Sequence, residues 1–245
     1  MGLFDWVQKS WAFNFKFVAL SIIFWLIMLA HEYYLGVPAT VPAEYLALLA
    51  NTAPIIRSFS FAGTIFISIA LLCSVAFKFR PLLSKYAFVR KNFGVMGFIF
   101  IVFHVLSAIH FYFNWDIPSI YTSLNPFENA IVFGTLAFPI LFVMAITSIN
   151  WVEHKIGGTI WKALHRLVYF AYLFMIFHAL KQNPPALESI PGYVLKVLFA
   201  AVLLGELYWW YMISKQRGFK NHGFYIGLLL ILLYIVIGYF AFFAK

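Results

Sequence analysis

Runs of about 20 mostly apolar residues recur along this chain. A run of that length crosses the roughly 30 Å hydrocarbon layer of a bilayer as one helix. Inside lipid, backbone N–H and C=O groups have only each other to bond to, so a spanning chain is either helical or a closed barrel. Barrel strands read as alternating segments of about ten residues, and these runs do not alternate. The expected fold class is therefore all-α, a polytopic transmembrane helical bundle. Composition agrees, with 64% hydrophobic and 10% charged residues, where soluble domains have about half and a quarter.

Seven spans are expected: Phe15–Tyr34, Ser58–Phe77, Gly94–Phe113, Ala130–Asn150, Lys162–Lys181, Val194–Ile213 and Phe224–Phe243. Pro38–Ile56 reads as a short interfacial helix. Pro139 removes a backbone donor and is expected to kink the fourth span. Residues 1–245 form one integral membrane domain, with 58–213 as its core and 214–245 supplying an extra C-terminal span.

Orientation follows from the basic residues. With the N-terminus in the cytoplasm, Lys9, Lys16, Lys78, Arg80, Lys85, Arg90, Lys91, Lys155, Lys162, Arg166, Lys215, Arg217 and Lys220 lie inside, thirteen of 17. Arg57, Lys181, Lys196 and Lys245 lie outside. The inside-positive pattern selects N-terminus in, C-terminus out. The net charge of +9 is spread over separate loops and reports orientation, not nucleic-acid binding. The first helix is expected to stay, being too long for a signal peptide and followed by no small-residue cleavage site. Cys73, the single cysteine, can neither form an internal disulfide nor hold an iron–sulfur cluster.

Histidines carry the functional signal. His104 lies on the third span, and His165 and His178 on the fifth, thirteen residues apart. Imidazole is costly in lipid unless its nitrogens are satisfied, and haem iron takes His as an axial ligand. His104 stands roughly 20 Å above Lys91 and His178 about as far above His165. The two therefore share a depth, and a haem clamped between the third and fifth helices by His104 and His178 fits that register. On an ideal helix His165 and His178 point about 140° apart, so they share a face only where the helix bends or bulges.

The segments RKNFGVMGFIFIVFHVLSAIHFY at 90–112 and GGTIWKALHRLVYFAYLFMIFHALKQ at 157–182 resemble the ferric reductase-like transmembrane domain. Within it they look most like the MsrQ-like haem-binding membrane subunits of bacterial methionine sulfoxide reductase systems. Arg90, Gly94, His104, Leu164, His165, Val168, Tyr169 and His178 carry the likeness, which covers spans two to six. The resemblance implies a b-type cytochrome. Electrons would pass from a cytoplasmic flavin reductase (FMN or FAD) or a quinol, through haem b, to an outer oxidoreductase or a small oxidant such as ferric iron. Relatives with their own flavin domain extend beyond the membrane core; no Gly-rich dinucleotide fingerprint follows a strand here, so a flavin would arrive on a partner.

Two-haem relatives carry a histidine pair on helix three, fourteen residues apart. Fourteen residues before His104 stands Arg90, and fourteen after stands Pro118. The family pattern thus leaves one haem, or two with His165 as the obvious inner ligand. Arg90 falls within about 40° of His104's face and is placed to meet a haem propionate. Arg166, beside His165, is a second propionate candidate or a plain cytoplasmic anchor. The metal candidates are His104, His178 and His165. Glu206, inside span six, would take quinol protons, pair with an inner-side base, or bond a neighbouring helix as a neutral acid. His110 and His31 are weaker candidates for contact with quinone or acceptor, and Tyr208–Tyr211 read as an interfacial belt. A haem-free transporter or proton channel, and a structural subunit of a larger complex, remain as alternative readings.

Overall fold

The computed structural model describes residues 3–36 and 43–217, with side chains at 15–36 and 52–216. The described chain is helical with no strand: α1 Leu3–Tyr34, α2 Ala43–Phe79, α3 Ala87–Phe113, α4 Ile117–Ile120, α5 Ile131–Thr147, α6 Asn150–Arg166, α7 Val168–Gln182 and α8 Ile190–Arg217. Short 3₁₀ turns at Pro81–Tyr86 and Pro184–Glu188 link α2 to α3 and α7 to α8. Among the described residues, five stretches are long and apolar enough to cross a bilayer: Phe15–Tyr34, Thr52–Phe79, Pro81–Phe113, Asn150–Gln182 and Ile190–Gln216. The apolar helix Ile131–Thr147 is shorter. The chain is a polytopic helical membrane bundle, and the first six expected spans correspond to these helices. The seventh, Phe224–Phe243, lies outside the described residues.

One expectation changes. No separate interfacial helix exists from Ala43 onward, because α2 runs unbroken from there to Phe79 with Pro54 inside it. The Gly157–Gly158 pair lies within α6. There Gly157 takes φ 79° and ψ 154°, a backbone state that side chains beyond Cβ-less glycine rarely adopt. That one residue divides α6 and sets the start of the fifth span just after it. α6 buries none of its residues, which suits a helix lying along the bundle's basic end. α5 continues through Pro139.

α2 is the central post. Its apolar stretch is 56% buried inside the bundle, whereas that of α1 is 11% buried, so α1 presents most of its surface to lipid. Apolar helices gain little by hiding from apolar lipid, so close packing of small residues has to hold them. Gly63 on α2 faces Gly97 on α3: a Cβ on either would meet the other's carbonyl oxygen at 3.0 Å. On another side of α2, Gly205 of α8 packs against Val75. Around this post Ile67, Leu71, Ile101, Leu141, Tyr172 and Val202 form one core drawn from five helices. The Tyr172 hydroxyl is satisfied within it by Ser68 Oγ at 2.6 Å.

Candidate functional site

α3 and α7 bring His104 and His178 together, with ring centroids 6.2 Å apart and planes at 69°. Each ring is tethered in the same way. His104 Nδ1 lies 3.0 Å from the Ile56 carbonyl of α2, and His178 Nδ1 lies 3.0 Å from the Ala130 carbonyl just before α5. A carbonyl oxygen only accepts, so each Nδ1 carries the proton and donates it. Each Nε2 keeps its lone pair. This is the tautomer of a histidine that ligates a metal, with the second nitrogen orienting the ring. Gly134 leaves room for one of them: a Cβ there would stand 3.4 Å from His178 Nδ1.

Both rings are half-buried because they open onto a cavity of about 610 Å³ within the bundle. Ligand sites commonly fall at about 300–1,000 Å³. The walls near the rings are apolar, among them Ile101, Val105, Phe138 and Met175. Arg57, Tyr112, Gln182 and Asn183 add polar groups. One metal bonded to both imidazoles at about 2.0–2.1 Å would hold the ring centres about 6 Å apart. The observed spacing meets that requirement. No group of three or more His, Cys, Asp or Glu gathers among the described residues. Two imidazoles alone suit a metal whose other ligands come from a planar macrocycle.

His165 lies elsewhere. It stacks on Trp161 at 3.9 Å, its Nδ1 is 3.0 Å from the Trp161 carbonyl, and its Nε2 is 3.4 Å from Ser148 Oγ. It lines a second cavity of about 620 Å³ together with Arg90, Lys91, Lys162 and Arg166. Among the described residues, no other histidine lines that cavity. Arg90 and Arg166 therefore accompany His165 and not the His104–His178 pair. Arg90 lies over the Trp161 ring at 6.0 Å. Between His165 and His178 the helix tightens: Leu167 N–H bonds the Leu164 carbonyl and Phe170 N–H the Leu167 carbonyl, three residues back in each case. About three residues wound at 120° instead of 100° reduce the angle between the two histidines from about 140° to about 80°.

Glu206 has found an inner-side base. Lys78 Nζ donates to both of its carboxylate oxygens, and Tyr169 Oη donates to one at 2.7 Å. His110 is exposed and accepts from Trp115 Nε1 at 3.1 Å. His31 Nδ1 sits 3.3 Å from Glu32. Sequence reasoning missed Arg57 and Glu32, which form an ion pair at the histidine cavity. An acid and a base near the ends of adjacent spans were the only signal.

The fold and its paired imidazoles define a helical membrane protein built around an intramembrane two-histidine cavity. Residues 59–176, which contain that cavity's His104 and most of its walls, match the family described as ferric reductase like transmembrane component. The chain is also similar to the protein-methionine-sulfoxide reductase heme-binding subunit MsrQ of Herminiimonas arsenicoxydans, 32% identical over 88 residues, 36% of this chain and 40% of that protein. The subunit of the same name from Ralstonia nicotianae is 34% identical over 92 residues, again 36% and 40% of the two chains. The aligned part spans about 40% of the length of these relatives. No solved structure matches.

Proposed function

We propose that this chain is the haem-carrying membrane subunit of an electron-transfer system, with one b-type haem held between α3 and α7 by His104 and His178. The observation that carries the reading is the pair itself: two imidazoles 6.2 Å apart, each with Nδ1 committed to a backbone carbonyl. When bound, haem supplies one-electron chemistry. The chain's own residues fix the ligand tautomers, hold the rings apart at metal-bridging distance, and surround them with apolar walls that lower the local dielectric. The two MsrQ subunits are named as heme-binding, which supports the same cofactor here.

The direction follows from the charges. The second cavity, with Arg90, Lys162 and Arg166 around His165, suits the approach of an anionic flavin on a cytoplasmic reductase, or of a quinol from the inner leaflet. Electrons would then leave on the outer side, to an oxidoreductase or a small oxidant. The orientation is N-terminus inside, in a bacterial inner membrane. Residues 1–245 act as one membrane domain, with 58–213 as the haem-bearing core.

Purified, haem-replete protein should show a reducible b-type spectrum with one haem per chain by pyridine haemochrome assay. His104→Ala and His178→Ala should each abolish the low-spin, bis-imidazole signal, while His165→Ala keeps it. Colourless wild-type protein, or low-spin haem surviving in both single variants, would refute the assignment.

A further inference from the structure

Glu206 lies within the membrane-spanning stretch Ile190–Gln216 of α8. An acid at such a position is costly and marks a working group by default. Lys78 Nζ supplies its counter-ion by donating to both carboxylate oxygens, and for charge balance that suffices. Tyr169 on α7 adds a donor that neutralisation does not require, its Oη bonding Glu206 Oε1 at 2.7 Å. Lys78 Nζ also reaches Tyr169 Oη at 3.5 Å. Three helices, α2, α7 and α8, each give one side chain to this polar knot.

The knot opens in two directions. Lys78 and Tyr169 line the second cavity, whereas Glu206 does not. Lys78 stands one residue before the end of α2, so the knot sits at the inner edge of the bundle. There the side chains of Lys78 and Glu206 are 30% and 23% exposed. Tyr169 thus connects the cavity with a carboxylate at its border. A phenol both accepts and donates, so it can take a proton on one side while releasing its own on the other. Leu141 lines this cavity and the histidine cavity alike, so at that point one side chain separates them.

The donor's chemistry creates the need. A hydroquinone and a reduced flavin both carry two electrons together with hydrogen, whereas haem supplies one-electron chemistry. Protons are therefore left behind at the donor. Among the described residues, five Lys or Arg line the second cavity against one acid, Glu153, and Glu153 already lies 3.8 Å from Lys91. A proton released among those cations is repelled. An ionised carboxylate linked to the cavity wall draws it off.

We propose that Tyr169 and Glu206 form the proton outlet of the second cavity, with Lys78 positioning the carboxylate. The inference rests on the reading of that cavity as the place where the electron donor binds. In the step, an O–H or N–H bond of the donor breaks. The donor is oxidised by one electron, and ferric haem is reduced by it. The proton passes to Tyr169 Oη as the tyrosine's own proton moves to Glu206, and from Glu206 to water at the inner edge. Tyr169 meets the donor, and Glu206 acts through it.

The test uses the full chain in detergent, loaded with haem, and stopped-flow reduction by three probes. Duroquinol and reduced FMN carry hydrogen; the methyl viologen radical cation delivers an electron without a proton. Tyr169→Phe and Glu206→Gln should each slow reduction by a hydrogen-carrying probe by on the order of 100-fold, and Glu206→Asp should recover part of the rate. Reduction by methyl viologen should keep its wild-type rate throughout. The hydrogen-carrying probe that is slowed is the class of donor the outlet serves. In haem-free protein, calorimetry should show duroquinone or FMN binding several-fold more weakly to Tyr169→Phe. That variant keeps the ring and the Lys78–Glu206 pair, and it decides the matter if Glu206→Gln does not fold. Rates that fall equally with methyl viologen, rates that do not fall, unchanged binding, or slowing by Glu153→Gln in place of Glu206→Gln overturn the outlet while the donor site stands. Wild-type haem that methyl viologen reduces and neither hydrogen carrier does would remove the donor site and the outlet together.

Discussion

The α2–α3 crossing offers a sharp perturbation, Gly97→Ala. A Cβ on Gly97 would stand 2.8 Å from Ile67 Cγ1, 3.0 Å from the Gly63 carbonyl oxygen and 3.1 Å from the Ile67 backbone nitrogen. Two of these three neighbours are backbone, which cannot rotate away. Comfortable contact is at about 3.5 Å, so the helices must part by roughly 0.5 Å. Overpacking of this kind costs about 1–3 kcal/mol. Gly94→Ala is the internal control, because its Cβ would meet only Ala70 Cβ at 3.9 Å. Both variants gain the same helix propensity, about 1 kcal/mol. Their difference isolates the clash, about 5- to 140-fold in the unfolding equilibrium. His104 lies seven residues beyond Gly97, two turns along nearly the same face, so the displacement also reaches its 3.0 Å bond to Ile56. Reversible unfolding in mixed micelles followed by circular dichroism, with the haem Soret band read alongside, measures both effects. Equal stability of the two variants, with an unchanged spectrum in each, would refute the argument.

Two further outcomes are expected. Lys78→Met should destabilise the protein by about 1–2 kcal/mol by stranding Glu206, a figure reduced for the partial exposure of both groups. Adding Glu206→Leu should recover most of that loss, and a double variant no more stable than Lys78→Met in the same unfolding assay would contradict the pairing. In the loop before α5, hydrogen bonds from the Ser123 hydroxyl and then the Asn125 amide hold the Glu128 carboxyl below its usual range. A lowered folded-state value means that this contribution is complete above the ordinary Glu value of about 4.3 and fades as pH falls through the lower folded value. Hydrogen-exchange protection of residues 123–130 should therefore weaken in acid for wild-type protein and be weak already at neutral pH in Glu128→Gln. Protection independent of pH in wild type would contradict this.

Much of the architecture is legible before any coordinates, because lipid leaves a chain so few options. Apolar run length alone locates six helices, and the depth argument brings His104 level with His178. Which basic side chain reaches the histidine pair is harder to read. Arg90 shares a face with His104 on an ideal helix, but the fourteen residues between them cover some 20 Å of helix, and Arg90 belongs to the cavity of His165. Arg57 is close to the histidine pair only because α2 crosses α3 there on glycines, a tertiary fact with no local signature. The carbonyls of Ile56 and Ala130 are likewise invisible in sequence, since any residue provides one. The tightening at Leu167 escapes periodicity because an ordinary leucine accommodates it. Glu206 was legible as an acid needing a partner, but its choice of Lys78 depended on how α2 meets α8.

Each helix of the histidine pair borrows its ring's tether from a different neighbour, His104 from α2 and His178 from the threshold of α5. Four segments of the chain, far apart in sequence, thus meet in one gap a few ångströms wide. Pigment seated in that gap would register small slippage in any of the four as a change of hue, making the protein's colour a strain gauge for its whole assembly.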